Sequence, residues 1–584
     1  MISLVVLVLL AALLAAGIAV AVRFPRRSVT AAHDADTPAG SQVVRRFFQY
    51  LLLAGLLITA GTGVTGLLGR LLDIDGTEPG ESELALQLSF VLIALPLWVA
   101  LAWWTRSRAT ADPSEHLSRE WAAYLTVIGL VSLIAGMVGW YGTLTALIGA
   151  APYSGSSVAM AVVWTTVWVG HRLWGRRTAP PSHLRVLVLV GALIGLATAA
   201  DGLAELIAAI FRGYTGMGGR SIVFSPLAPM LRAAAVLVVG AAAWVAYWLR
   251  DARRGPRTGG WLSFVLLAGV GGGLVSAISM LSTLVFEVLV WLVGDPGAAK
   301  AAAHFADAPE LAGTGAVGLL AWWYHQAVLD TARATERTEV RRVYEYLMAA
   351  IGLLAATAGV VLALVTVIEA IVDADGVPTG RSAVNTLLAA LVLLVVGIPV
   401  WWWHWRMAQR ARVADPTDEL ASISRRTYLL LLFGVAGIAA VIALITLVYL
   451  VLQDALDDGV GAETLVRIRY ALGILLATSL IAGYHWTVFR VDRRYAARKS
   501  AATAAARAPR RSVLVVGDLT ADALGALAHR ADAEVQLWRT GAPTAATPTA
   551  DDLARVIDEA PAGDLVVLAL DATLRALPAT RPKP

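Results

Sequence analysis

Cysteine is absent from this chain of 584 residues. That excludes disulfides, thiolate metal sites, iron–sulfur ligation and cysteine nucleophiles together. Lysine occurs only at Lys300, Lys499 and Lys583, so nearly every cation is arginine. With so much alanine and glycine, this bias points to a GC-rich bacterial genome. Charge of either sign is sparse, at 15% of residues, where a soluble protein carries about 25%. Also missing are a P-loop, a Gly-rich dinucleotide loop, a zinc spacing, a Ser/His/Asp order and a catalytic carboxylate pair. The chain therefore reads as a protein without enzymatic machinery and without a cofactor.

Long apolar runs are what the chain has instead, and 58% of it is hydrophobic. The stretch from Val340 to Arg412 shows the plan. It opens Val340-Arg341-Arg342-Val343-Tyr344-Glu345-Tyr346, runs apolar to Asp373, turns through Asp375-Gly376 and Pro378, and climbs back to Trp401-Trp402-Trp403-His404-Trp405-Arg406. Each run is long enough to cross ~30 Å of hydrocarbon at ~1.5 Å per residue. The unit is a transmembrane hairpin with arginine at both ends and carboxylates at its tip.

Taken in order, residues 1–22 form an apolar run followed by Arg23, Arg26 and Arg27. A cleaved signal has the reverse charge order, so this reads as an uncleaved anchor with its N-terminus outside. A polar linker, 23–43, precedes six hairpins at 44–109, 118–177, 183–254, 258–332, 340–412 and 424–494. Arginine concentrates in the segments between hairpins and thins at their tips, an alternation that one missed span would invert downstream. The net charge of +5 follows from these loops and does not indicate nucleic acid. The expected fold class is an all-α polytopic membrane bundle of about thirteen transmembrane helices, built of six parallel two-helix repeats. After a linker at 495–511, short strand–helix alternation over 512–577 implies a small cytoplasmic α/β domain, with a tail at 578–584. The expected location is the inner membrane of a bacterium, with the C-terminus in the cytoplasm.

The repeated signature has an Arg-Arg and tyrosine start (Arg45-Arg46, Arg341-Arg342, Arg425-Arg426 with Tyr428) and an aromatic–His or Trp-rich end (Trp103-Trp104, Tyr324-His325, Trp403-His404, Tyr484-His485). It resembles a bacterial membrane domain of unknown function, number 5671, built of tandem two-helix units with Trp- and His-rich exits. The resemblance covers most of Arg45 to Arg494. The third and fourth hairpins depart from it: Arg185 stands alone, and Trp261 has no arginine pair directly before it. No activity comes with the resemblance, which implies architecture only.

Two sets of polar residues stand out in the spans. Trp104, His171, Trp248, His325, His404 and His485 sit near the arginine-rich ends. Imidazole is a common haem and metal ligand, but four ligands at one depth would need a central cavity, and no carboxylate stands near them in sequence. They are expected to form an aromatic/His belt at the membrane interface. Glu205, Glu287 and Glu369 recur at intervals of 82 residues near the hairpin tips, with Asp201 one turn before Glu205. Carboxylates in a span can mark an ion path. These lie shallow, so an interfacial or packing role is expected. In the C-terminal domain Asp518 and Asp571 follow strands and could line a ligand edge, although a helix cap accounts for such residues equally.

The leading expectation is a non-enzymatic scaffold in contact with the lipid bilayer, its cytoplasmic domain meeting a protein partner. A transporter or channel using the carboxylates, and a sensor signalling through the C-terminal domain, are the alternatives. Oligomeric state is not encoded in any of these patterns.

Overall fold

The computed structural model describes residues 39–73, 80–215, 227–331, 338–373, 383–457, 459–507, 511–540, 548–561, 563–570 and 573–579. The expected anchor at 1–22, most of the linker after it, the acidic turn at Asp375 and Asp571 lie outside these residues. The chain divides into two compact units, Met1–His485 and Trp486–Pro584.

Twelve long helices make six antiparallel hairpins among the described residues. They are α1 (Ala39–Leu72) with α2 (Glu81–Ala111); α3 (Arg119–Leu147) with α4 (Gly155–Thr178); and α5 (Arg185–Thr215) with α6 (Ala228–Ala252). There follow α7 (Gly259–Val293) with α8 (Ala308–Thr331), α9 (Glu339–Asp373) with α10 (Ala383–Ala414), and α11 (Ile423–Leu456) with α12 (Ala462–Arg507). Ten of them are long and apolar enough to cross a membrane. The other two, α4 and α8, are of spanning length but carry polar groups such as His171, Arg172 and His325.

Glycine closes the seams of the second to fifth hairpins. A methyl group added at Gly139, Gly195, Gly202, Gly240, Gly273 or Gly397 would come within 3.0 Å of backbone atoms on the facing helix. Such approach is how helices associate where the solvent is as apolar as the side chains. Outward faces are aliphatic, most completely on α11, where Leu430, Val435, Ile438, Ile445 and Leu456 are exposed. Gly434 and Gly437 of α11 face open space. Three short π-helical segments, Phe90–Ala94, Val245–Ala252 and Phe264–Gly271, interrupt α2, α6 and α7.

The second unit contains the end of α12 and a four-stranded sheet of order β2-β1-β3-β4. Its strands are β1 (Arg511–Val516), β2 (Ala533–Trp538), β3 (Leu565–Leu570) and β4 (Thr573–Pro578), with α13 (Ala521–Arg530) and α14 (Ala550–Glu559) as crossovers. β1 pairs in parallel with β2 and β3, and β4 runs antiparallel to β3. Val513, Val515, Leu527, Leu553, Ile557 and Val567 fill the core. Two features were not anticipated. β4 is an edge strand with only one half-buried face, so its short alternation is a faint signal. Most of the expected 495–511 linker is helical to Arg507, as its alanine content favours.

Candidate functional site

The most densely built polar structure lies at the arginine-rich ends, in the loops joining the first hairpin to the second and the fifth to the sixth. In the first loop Asp112 opens a short turn, Pro113–Leu117, by accepting from the Ser114 N–H at 2.9 Å. Ser118 closes it and caps α3 through the Trp121 N–H at 3.2 Å. Glu115 is thereby tucked inward and buried. It accepts from Arg46 Nε at 2.9 Å and from Arg45, both at the start of α1. Arg45 also donates to Gln49 at 2.6 Å, whose amide donates to Thr105 Oγ1 of α2 at 2.8 Å.

The fifth loop repeats the construction one residue longer. Asp415 caps a short helix, Pro416–Ala421, and Ser422 caps α11 through the Arg425 N–H at 3.3 Å. Glu419, 1% exposed, accepts from Arg342 Nε at 3.1 Å and from the Tyr346 hydroxyl at 2.6 Å. Arg425 in turn donates to Tyr346 at 3.1 Å. Arg342 also meets Glu339 and Asp418. Each clasp ties the first turns of one hairpin to the loop that opens the next. The third hairpin, whose start has Arg185 alone, has no such carboxylate in the loop that follows it. Instead Asp251 of α6 takes Arg172 and Arg176 of α4, each at 2.6 Å.

Sequence reasoning missed these clasps, although a signal was present. Asp112-Pro113 and Asp415-Pro416 are followed by Glu115 and Glu419 and then by the capping Ser118 and Ser422. Recognising it requires seeing that Arg342 and Glu419, 77 residues apart, belong together.

The histidines share one geometry. In His171, His325, His404 and His485, Nδ1 lies 2.7–3.0 Å from the carbonyl oxygen one turn earlier. A carbonyl only accepts, so Nδ1 carries the proton and, in the neutral ring, Nε2 faces inward as an acceptor. Each ring packs against an aromatic on the leading helix: Tyr124 at 5.7 Å, Phe264 at 6.0 Å, Tyr344 at 5.6 Å and Tyr428 at 6.2 Å. Every one of these aromatics stands six residues after the Ser or Thr that caps its helix, namely Ser118, Thr258, Thr338 and Ser422. Tyr124 hydrogen-bonds His171 Nε2 at 2.9 Å, and Tyr344 lies 3.3 Å from that of His404. Phenylalanine cannot do this, and His325 Nε2 has no hydrogen bond among the described residues; neither does that of His485. The His325 ring is pressed against Gly269 so tightly that a methyl there would collide with it. All four imidazoles are buried.

Of the remaining belt residues, Trp248 is buried and donates to Tyr324 at 2.9 Å. Trp168 donates likewise to Tyr247 at 2.7 Å and Trp405 to Tyr484 at 2.8 Å, so successive return helices are stitched by indole-to-phenol bonds. Trp104 alone is exposed, with the Arg108 guanidinium 5.2 Å over its ring.

The tip carboxylates occupy three different settings. Asp201 and Glu205 are exposed on α5, and Glu205 meets Arg212 at 3.0 Å. Arg212 also reaches Glu310 of α8 at 2.7 Å. Glu287 is half-buried, 3.2 Å from His304. Glu369 is sealed at 1% exposure, with Arg469 Nε of α12 at 3.1 Å. It meets an arginine of its own chain and is packed away from the surface. In the second unit Asp518 is exposed beyond the β1 carboxyl end, and the cap of α13 is Thr520, accepting from the Ala523 N–H at 3.3 Å. Among the described residues no group of three or more His, Asp or Glu is placed to hold a metal ion.

Three stretches of the chain, 46–170, 185–314 and 342–480, match a domain of unknown function, DUF5671. The chain belongs to this family. Each DUF5671 match begins at the start of a hairpin and extends into the next, so the six hairpins fall into three consecutive pairs. The first and third pairs carry the clasp and the second does not. No curated protein matches the chain, and no solved structure does.

Proposed function

We propose that the chain is a non-enzymatic, multi-pass scaffold of a bacterial inner membrane that holds its C-terminal α/β unit in the cytoplasm, where that unit meets a protein partner. The observation that carries this reading is the way polar groups in the helices are used. Glycine seams draw the two helices of a hairpin together at backbone distance, Glu205 and Glu369 are each engaged by an arginine of the same chain, and Glu287 lies against His304. Such groups serve packing and leave the helices as a rigid platform. The orientation rests on the arginines between hairpins (Arg106 to Arg119, Arg172 to Arg185, Arg406 to Arg426), which the positive-inside bias assigns to the cytoplasm.

Reporter fusions at Gly376 and Gly459 are expected outside and one at Ala505 inside. Liposomes holding the triple variant Glu205→Gln, Glu287→Gln, Glu369→Gln are expected to match the wild type in ion and proton leak. A specific flux lost in that variant would replace the scaffold with a transporter. Affinity purification of the full chain against one ending at Ser500 then tests the partner: a protein recovered only with the full chain supports it.

A further inference from the structure

A groove of about 400 Å³ runs between α3, α4 and α6. Its wall is apolar at Leu133, Met137 and Leu144 of α3 and at Val238 and Ala242 of α6. The polar atoms in the lining are occupied within the chain. Ser132 donates to the Ile128 carbonyl at 2.6 Å, Trp140 Nε1 donates to Thr165 at 2.9 Å, and Trp168 Nε1 donates to Tyr247 at 2.7 Å. A polar solute therefore finds little to bind, whereas an elongated apolar one finds a track. Between Ser132 and Leu144 that track follows ~18 Å of helix rise. Trp140 and Val238 are exposed beside it, so it opens sideways toward whatever surrounds the helices.

A charge marks one end. Arg232 lies seven residues before Val239 of the groove, on the same face of α6. Its Nε donates to the Ala150 carbonyl in the α3–α4 turn at 3.0 Å, which holds the guanidinium at the tip end of the track. Lipid tails are as apolar as the wall, so fit and this charge are what would distinguish a seated lipid from a passing one. We propose that the groove seats one acyl chain of a membrane phospholipid whose phosphate stands against Arg232. This rests on the reading that the helices cross a bilayer.

The test uses the full chain in vesicles containing phosphatidylglycerol with a diazirine on its acyl chain. Irradiation and peptide mapping should place the label on the segments around Met137–Leu144 and Val238–Ala242. Ala242 is exposed, so Ala242→Phe fills the groove without invading the packed seam, and an unchanged melting curve checks this. Labelling of those segments is expected to fall about tenfold in Ala242→Phe and several-fold in Arg232→Gln. Uniform labelling of all outward helix faces, or groove labelling unchanged by Ala242→Phe, would overturn the proposal. Loss in Ala242→Phe with none in Arg232→Gln would overturn the phosphate assignment and give the groove to an uncharged lipid. A chain that failed to float with the vesicles would sink the membrane reading itself.

Discussion

Replacing Glu419 by leucine removes the centre of the larger clasp. Arg342, itself 4% exposed, keeps, among the described residues, Glu339 and Asp418, whose side chains are 48% and 56% exposed. Their pull is screened by water and contributes little. Breaking a buried pair from one side costs ~3–5 kcal/mol, because the surviving charge stays buried. The remaining contacts bring Glu419→Leu to about 3 kcal/mol, at the bottom of that range. Arg342→Met should cost a similar amount, since it takes from the buried Glu419 the arginine it meets at 3.1 Å. The double variant strands neither charge, so its loss should fall short of the sum by ~1–3 kcal/mol. Reversible unfolding in mixed micelles, followed by tryptophan fluorescence, gives all three values. Losses that add within ~0.3–0.5 kcal/mol would show that the two side chains are not a unit and would refute the clasp. Glu115→Leu repeats the test with partners that are more exposed, and the coupling there should be smaller.

Other outcomes follow from the packing and the charges. Gly240→Leu drives a side chain into the Ala199 backbone and should cost at least the ~1–3 kcal/mol of overpacking. Gly434→Leu, facing open space on α11, should stay within ~0.5 kcal/mol of wild type in the same unfolding assay. Glu369→Gln should cost roughly 2–3 kcal/mol, below the range for a wholly buried pair because Arg469 is partly exposed, while Glu205→Gln should cost ~0–1 kcal/mol. In the first loop, burial holds His116 below its ordinary value of 6.5, against the pull of Glu115. A folded-state value below the unfolded one means stability that is full above pH 6.5 and is lost as pH falls through the folded value. His116→Gln should therefore flatten that part of the stability–pH curve, and parallel wild-type and variant curves would contradict it.

The hairpins were legible because length and hydropathy are local properties: each run announces itself without reference to any other. The same holds for β1, β2, β3 and their crossovers, where alternation switches period within a few residues. β4 escaped because an edge strand needs only one good face. The clasp escaped for a different reason. Arginine near a membrane end is expected everywhere in such a chain, and nothing local distinguishes Arg342, which is buried, from Arg410, which is not engaged in it. The distinguishing fact is a carboxylate 77 residues away that a capped turn folds inward. The histidines fell between these cases. Their recurrence was visible, yet their role depended on the aromatic six positions beyond a capping hydroxyl on another helix. Glu369 looked shallow by counting along its own helix, and only Arg469, on a helix that returns later, seals it.

A pair of hairpins that begins and finishes at the same end has a genetic consequence. Copying such a block, or deleting one, leaves the direction of every later helix unchanged, whereas adding a single helix would reverse them all. A gene built this way can lengthen or shorten by whole blocks while whatever follows stays on its original side. The middle block departs from the other two: it lacks the clasp, and its Asp251 instead meets Arg172 and Arg176 of the block before it. Relatives of this chain are thus expected to differ in size by steps of four helices rather than one.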